Sequence, residues 1–142
     1  MRMMRVLTAA APAAVPAAMS DPASQSTTGP KVADTVYFYL NINRRVSCGG
    51  PFPGSGDIGS CINTARSMWN NHYPTTNYND VNVYYGRRVG NACSGAWRGV
   101  YQGAQLNNLA NYTFDQGPGL AGHGQTLDRN IHCIWRVNLP NP

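Results

Sequence analysis

The chain has 142 residues, a length that predicts one domain. Eleven Lys and Arg residues against six acidic residues give a formal net charge of +5, yet only 12% of the residues are charged, about half the usual share for a soluble domain. All six acidic residues are aspartates, which excludes mechanisms that need a glutamate base, and the 15 glycines and 10 prolines favour short strands and turns over long helices.

The N-terminal residues have the layout of a secretory signal peptide. A short basic start precedes an alanine-rich apolar stretch over residues 6–19. This stretch is too short to cross a bilayer of about 30 Å as a helix. We therefore predict a signal peptide over residues 1–24, a flexible arm over residues 25–33, and a secreted, extracellular protein without a membrane span. A disordered Ala/Pro tail is the alternative interpretation.

The remaining residues, 34–142, form the predicted domain and contain an internal repeat. An offset of 45 residues aligns Val36 with Val81, Tyr39 with Tyr84, Cys48 with Cys93, and Gly50 with Gly95. An offset of 66 residues aligns Gly56 with Gly122, Ser67 with Cys133, and Trp69 with Trp135. The difference between the offsets leaves 21 extra residues in the second copy, which we place between residues 96 and 119.

Each copy predicts the same succession of strands. It opens with alternating aromatic and β-branched residues, at 36–39 and 81–85, and crosses a glycine-rich bend. It closes on a strand that carries a tryptophan, at 66–69 and 131–135. Two four-stranded units, each with one apolar face, bury those faces by packing on each other. We therefore predict an all-β fold in which two Greek-key motifs pack as a small β-sandwich.

Four cysteines predict a disulfide framework, because an even number in a small exported chain is typical of one. They are Cys48, Cys61, Cys93 and Cys133. Twelve residues separate the closest pair, which is not the tight knuckle of a zinc site, so we predict no metal and no cofactor. Of three possible pairings the repeat favours Cys48–Cys61 and Cys93–Cys133, one in each copy. A cross-link between the copies is the alternative.

The repeat resembles the βγ-crystallin Greek key, used twice over residues 34–138. The resemblance rests on the aromatic opening strand, the glycine-rich fold-back, and a closing strand with a small residue two places before Trp69 or Trp135. Among exported bacterial proteins of this size, the pattern is similar to the streptomycete metalloproteinase-inhibitor family, which implies a proteinase inhibitor. Calcium-binding crystallin motifs have oxygen ligands where this chain has Arg66 and His132, so we expect no calcium site.

The segment from Cys48 to Cys61 is the predicted inhibitory loop. A substrate-mimicking inhibitor needs a projecting loop that is held near its bound shape. Pro51 and Pro53 restrict the backbone, and an exposed Phe52 between them would fill an apolar specificity pocket of an extracellular protease. We predict that the protein binds such a protease as a monomer. The alternative is that Phe52 folds back onto the sandwich and the loop only joins two strands.

Two other groups of residues predict a binding surface and support a second function. Residues 96–119 mix aromatic, amide and arginine side chains, including Trp97, Arg98, Tyr101 and Tyr112. Two arginine pairs follow the first strand of each copy and are candidates for a basic patch: Arg44 with Arg45, and Arg87 with Arg88. The second function is therefore a secreted binding module for cell-wall, glycan or other anionic surfaces. Packing across the open end of the sandwich and solvated turns are the simpler interpretations.

An enzyme is the third class of function considered. Two histidines, as base and acid, with arginines to stabilise phosphate charge, would make a basic secreted ribonuclease or toxin. His123 lies in a predicted turn and His132 on a predicted strand, and no spacing brings them together. We therefore predict no catalytic residues. The sequon at residues 111–113 matches the rule for glycosylation of Asn111.

Overall fold

The computed structural model of the protein describes residues 34–140. The predicted signal peptide (1–24) and arm (25–33) lie outside the described residues. Within these residues the chain forms ten strands and two short 3-10 helices, Gly59–Cys61 and Leu109–Asn111. The strands are β1 (Thr35–Asn41), β2 (Arg45–Ser47), β3 (Gly56–Asp57), β4 (Ser67–Asn71), β5 (Asp80–Tyr84), β6 (Arg88–Val89), β7 (Ala92–Cys93), β8 (Trp97–Val100), β9 (Gln105–Leu106) and β10 (Cys133–Val137).

Eight of these strands form two antiparallel sheets of four, which confirms the prediction of an all-β fold. The first sheet has the order β2-β1-β4-β9 and the second the order β3-β10-β5-β8, while β6 and β7 pair as a separate hairpin. One strand of each half lies in the sheet of the other half, because β9 pairs with β4 and β3 pairs with β10. This exchange differs from the expectation that each copy forms its own four-stranded unit.

The residue pairs of the two sheets are related by the same two offsets as the sequence repeat. Thr35 lies opposite Asn71 in the first sheet, and Asp80 lies opposite Val137 in the second. The opening strands are therefore related by 45 residues and the closing strands by 66, as in the sequence. Because a slip of one residue would turn every side chain to the other face, this agreement fixes which residues of both halves face the core.

Alternation along the strands builds one core between the two sheets. Val36 and Phe38 of β1, and Val81 and Val83 of β5, point into this core and are fully buried. Tyr37 and Tyr39, on the other face of β1, are buried as well. The core is completed by residues of both halves and of the segment after β9: Ile58, Met68, Ala96, Val100, Leu109, Phe114, Leu127, Ile131 and Ile134. Burying one such large apolar side chain stabilises the fold by about 1.5–3 kcal/mol.

Two disulfides hold the halves internally. Cys48 pairs with Cys61 and Cys93 with Cys133, the pairing that the repeat favours, and the described residues contain no free cysteine. The second disulfide joins the β6–β7 hairpin to β10. On the chain-entropy account, closing each loop contributes about 3–4 kcal/mol to stability.

The extra residues of the second half lie only partly in the predicted range of 96–119. The range 96–119 contains β8 and β9, which are integral strands of the two sheets. The extra length is divided between the β6–β7 hairpin and the long segment 107–132 that precedes β10. Between the segments that match at offsets of 45 and 66 residues, the glycine-rich sequence aligns equally well with the gap in several places. Residue types alone therefore did not locate the extra residues.

Candidate functional site

The loop between Cys48 and Cys61 is attached to the sandwich rather than projecting from it. Phe52 exchanges two backbone hydrogen bonds with Val36, both with N···O distances of 2.9 Å. The half-buried Phe52 ring packs edge-on against the buried ring of Phe38, with 5.9 Å between the centroids. The expectation of an exposed Phe52 is therefore wrong, and the alternative, in which Phe52 folds back, describes its position.

The exposed part of this loop is short and is tied to β10. Pro51 is half-buried and Pro53 is exposed. The guanidinium of Arg136 donates to the Pro53 carbonyl over 3.4 Å, and the Arg136 backbone N–H donates to the Ser55 hydroxyl over 2.9 Å. The backbone then enters β3, at the edge of the second sheet. The loop is thus held near one shape, but without an aromatic side chain at its tip.

The candidates in residues 96–119 largely bind one another. Arg98 donates to the Thr113 carbonyl over 3.2 Å, lies 3.4 Å from a carboxylate oxygen of Asp115, and stands 5.1 Å from the centre of the Tyr112 ring. Trp97 packs against Tyr84, with 5.9 Å between the ring centroids. Tyr101 is exposed at the turn after β8. Packing between segments therefore accounts for Trp97, Arg98 and Tyr112.

The eight arginines of the described residues divide into two groups of four by their partners. One group forms ion pairs with aspartates: Arg66 and Arg129 with Asp128, Arg98 with Asp115, and Arg136 with Asp34. The other group has no carboxylate within ion-pair distance of its side chains among residues 34–140, and it consists of Arg44, Arg45, Arg87 and Arg88. These four positive charges are the ones that remain available to an anionic partner.

The first arginine site, as we call Arg44, Arg45 and Trp69, lies on the first sheet. The Arg44 guanidinium stands 6.0 Å from the centre of the Trp69 ring. Its Nε donates to the side-chain oxygen of Asn107 over 3.1 Å, and the Arg44 backbone N–H donates to the Ser67 hydroxyl over 2.9 Å. These contacts fix the turn between β1 and β2, so the guanidinium direction is set before any ligand arrives.

The second arginine site, as we call Arg87, Arg88 and Trp135, lies on the second sheet. The Arg88 guanidinium stands 5.5 Å from the centre of the Trp135 ring, and its Nε donates to the Gly90 carbonyl over 2.8 Å. The Arg88 backbone N–H donates to a carboxylate oxygen of Asp57 over 2.8 Å. Together with the disulfide to β10, these bonds hold the hairpin so that Arg88 lies over Trp135. Both Arg87 and Arg88 are exposed.

The three histidines lie in different surroundings. His123 is exposed in the turn after Leu120, while the Nε2 atom of the half-buried His132 lies 3.7 Å from a carboxylate oxygen of Asp57. His72 is fully buried, and neither of its ring nitrogens has a hydrogen-bond partner among the described residues. Burial lowers the pKa of His72, and the nearby positive charge of Arg136 lowers it further. No pattern of residues around position 72 indicates that this histidine is buried.

Residues 34–140 contain no group of three or more His, Cys, Asp or Glu side chains placed to hold a metal ion. At the positions compared with calcium ligands, Arg66 pairs with Asp128 over 3.3 Å. In this part of the chain we find no helix with the length and apolar character needed to cross a membrane. Comparison with protein-family models, curated proteins and solved structures found no match to the chain. The function is therefore argued from the geometry of its surfaces.

Proposed function

We propose that this protein is a binding module for an acidic polysaccharide, which it contacts through its two arginine sites. The observation that carries the proposal is the division of the arginines. Four arginines form ion pairs with three aspartates of the same chain, whereas Arg44, Arg45, Arg87 and Arg88 have no such partner among residues 34–140. In each of these two arginine pairs, one arginine lies over a tryptophan ring.

The chemistry of these groups suits carboxylate or sulfate groups on a polymer. A guanidinium offers a planar fork of donors that matches two oxygens of such an anion. Attraction between a cation and an aromatic face contributes about 0.5–1 kcal/mol at exposed sites and restricts the arginine side chain. Because Arg44 and Arg88 are already oriented by the tryptophan and by hydrogen bonds, less rotamer entropy is lost when a ligand binds.

The number and spacing of the charges favour a polysaccharide over a nucleic acid. The available arginines form two pairs, one on each sheet, rather than a dense stripe of Lys and Arg residues on one face. Strong nucleic-acid binding requires the neutralisation of many neighbouring phosphates. We further propose that the protein works outside the cell, since disulfides form and persist in oxidising compartments.

We also propose that the fold is a double Greek key of the crystallin type. The support is that the two sheets have the same order, β2-β1-β4-β9 and β8-β5-β10-β3, when β5, β8, β9 and β10 are aligned with β1, β2, β3 and β4. In each half the fourth strand returns to lie beside the first, as in a Greek key. The hairpin of β6 and β7 is an addition to this order in the second half.

Proteinase inhibition, which the family resemblance implies, is the second candidate function. The observation in its favour is the fixed backbone around Pro53, held by the disulfide, by Val36 and by Arg136. The buried face of Phe52 removes the anchor that this function was expected to use. Titration against a thermolysin-like and a subtilisin-like protease tests it: stoichiometric inhibition would favour this function over polysaccharide binding.

The polysaccharide proposal is tested by retention on beads that carry a sulfated or uronic-acid polysaccharide, with neutral dextran beads as the reference. Arg87→Gln removes a charge without an ion-pair partner among residues 34–140, and Arg129→Gln is its matched control because Arg129 is also exposed but bound to Asp128 over 3.0 Å. We expect Arg87→Gln to weaken binding about tenfold, the value of one charge-assisted contact, and Arg129→Gln to change it little. Equal losses, or no retention at low salt, would refute the proposal.

A further inference from the structure

The tryptophans of the two arginine sites occupy corresponding positions in the internal repeat. Trp69 lies opposite Tyr37 in the first sheet, and Trp135 lies opposite Asn82 in the second. The tryptophans are 66 residues apart and their partners 45, the two offsets of the repeat. In both halves the arginine pair follows the opening strand, and one guanidinium reaches the tryptophan of the closing strand. The tryptophans therefore correspond in the two halves, whereas Arg88 belongs to the β6–β7 hairpin, an addition in the second half.

The two sites face away from each other. Met68, next to Trp69, and Ile134, next to Trp135, both belong to the core between the sheets. Because successive side chains of a strand point to opposite faces, both tryptophans lie on the outer faces of their sheets. The outer faces of two packed sheets lie on opposite sides of the sandwich. A straight polymer segment bound at one site therefore does not reach the other.

Each site is completed by a residue that the strand exchange supplies. Asn107, which holds the Arg44 guanidinium, follows β9, the second-half strand at the edge of the first sheet. Asp57, which holds the Arg88 backbone, belongs to β3, the first-half strand at the edge of the second sheet. One half of the chain therefore does not build a complete site, and the folded sandwich builds two.

From this arrangement we infer that the protein is bivalent and joins two segments of acidic polysaccharide, one on each face. This inference rests on the proposed function and adds the number and direction of its sites. Two opposed sites also raise the apparent affinity for a polymer network above that of one site, because binding at the second site is then local. The consequence is that the protein cross-links long chains, whereas it binds short ones independently.

The test uses a sulfated hexasaccharide, too short to reach both faces, and the full chain. Isothermal titration is expected to give two hexasaccharides per protein. The double variant R44Q/R45Q removes the first site and R87Q/R88Q removes the second, and each is expected to bind one. With a long sulfated polysaccharide, the wild type is expected to cause turbidity, while each double variant binds without causing it.

Urea unfolding of each variant confirms that it has folded before its binding is compared. One hexasaccharide per wild-type molecule, or loss of all binding in both double variants, would overturn bivalency and leave a single composite site, with polysaccharide binding itself intact. Absence of hexasaccharide and polysaccharide binding by the wild type would overturn the proposed function together with the inference. Binding of single-stranded DNA with equal strength would assign the arginines to a nucleic acid instead.

Discussion

Replacing Gly122 by alanine is expected to destabilise the protein by about 2–4 kcal/mol, and the reason lies in one contact. Gly122 has a φ of +87°, and a Cβ built on it would overlap the Tyr85 ring and lie 2.6 Å from the Tyr85 Cβ. Tyr85 packs edge-on against the buried ring of Phe114, with 5.7 Å between centroids, so it has little room to move. The near end of that side chain cannot turn away as a flexible tip would.

Gly124 is a matched control two residues away. Its φ is +86°, and no heavy atom lies within 4 Å of a Cβ built there. Alanine at either position pays for the left-handed conformation, about 1–2 kcal/mol, less the roughly 0.4–1 kcal/mol gained by restricting the unfolded chain. Only Gly122→Ala adds the overlap with Tyr85, which is typically worth about 1–3 kcal/mol.

The assay is urea unfolding of both variants followed by tryptophan fluorescence, with the m-value checked for a common transition. We expect Gly124→Ala to lose about 1 kcal/mol and Gly122→Ala to lose clearly more. Equal losses would refute the reasoning, because they would mean that the segment carrying Gly122 is not packed on Tyr85.

Three other predictions concern charge and covalent structure. Because the fold lowers the pKa of His72, the unfolded chain binds the proton more readily, and stability is expected to fall as the pH drops below about 6.5. Unfolding midpoints measured over a series of pH values should show this dependence in the wild type and lose it in His72→Leu. Replacing Cys93 and Cys133 together by serine should lower stability by about 3–4 kcal/mol in urea and abolish one of the two hexasaccharide sites by calorimetry, because it frees the hairpin. Asp80→Ala leaves two backbone N–H groups without their carboxylate acceptor, at 2.7 and 2.9 Å, and is expected to cost about 2–4 kcal/mol by the same unfolding assay; an unchanged midpoint would contradict this.

The sequence by itself determined the opening and closing strands of both halves and their relation to one another. Alternation in β1 and β5 identified the inward positions, and the offsets of 45 and 66 residues matched the registers of the two sheets. The repeat also favoured the cysteine pairing that the structure shows. These features are local or are repeated in both halves, so they can be predicted from the pattern of residue types.

Only the tertiary structure decided which strand edges meet and which charges are neutralised. β3 and β9 are two residues long, too short for alternation to identify them, and their exchange depends on edges left open by distant segments. The position of Phe52 likewise depends on its contacts with Val36 and Phe38. The arginines are the same residue type throughout, and only the fold decides which of them lie beside an aspartate. Pairings between distant parts of a chain follow from the packing of the whole core, and residue types at one position do not contain that information.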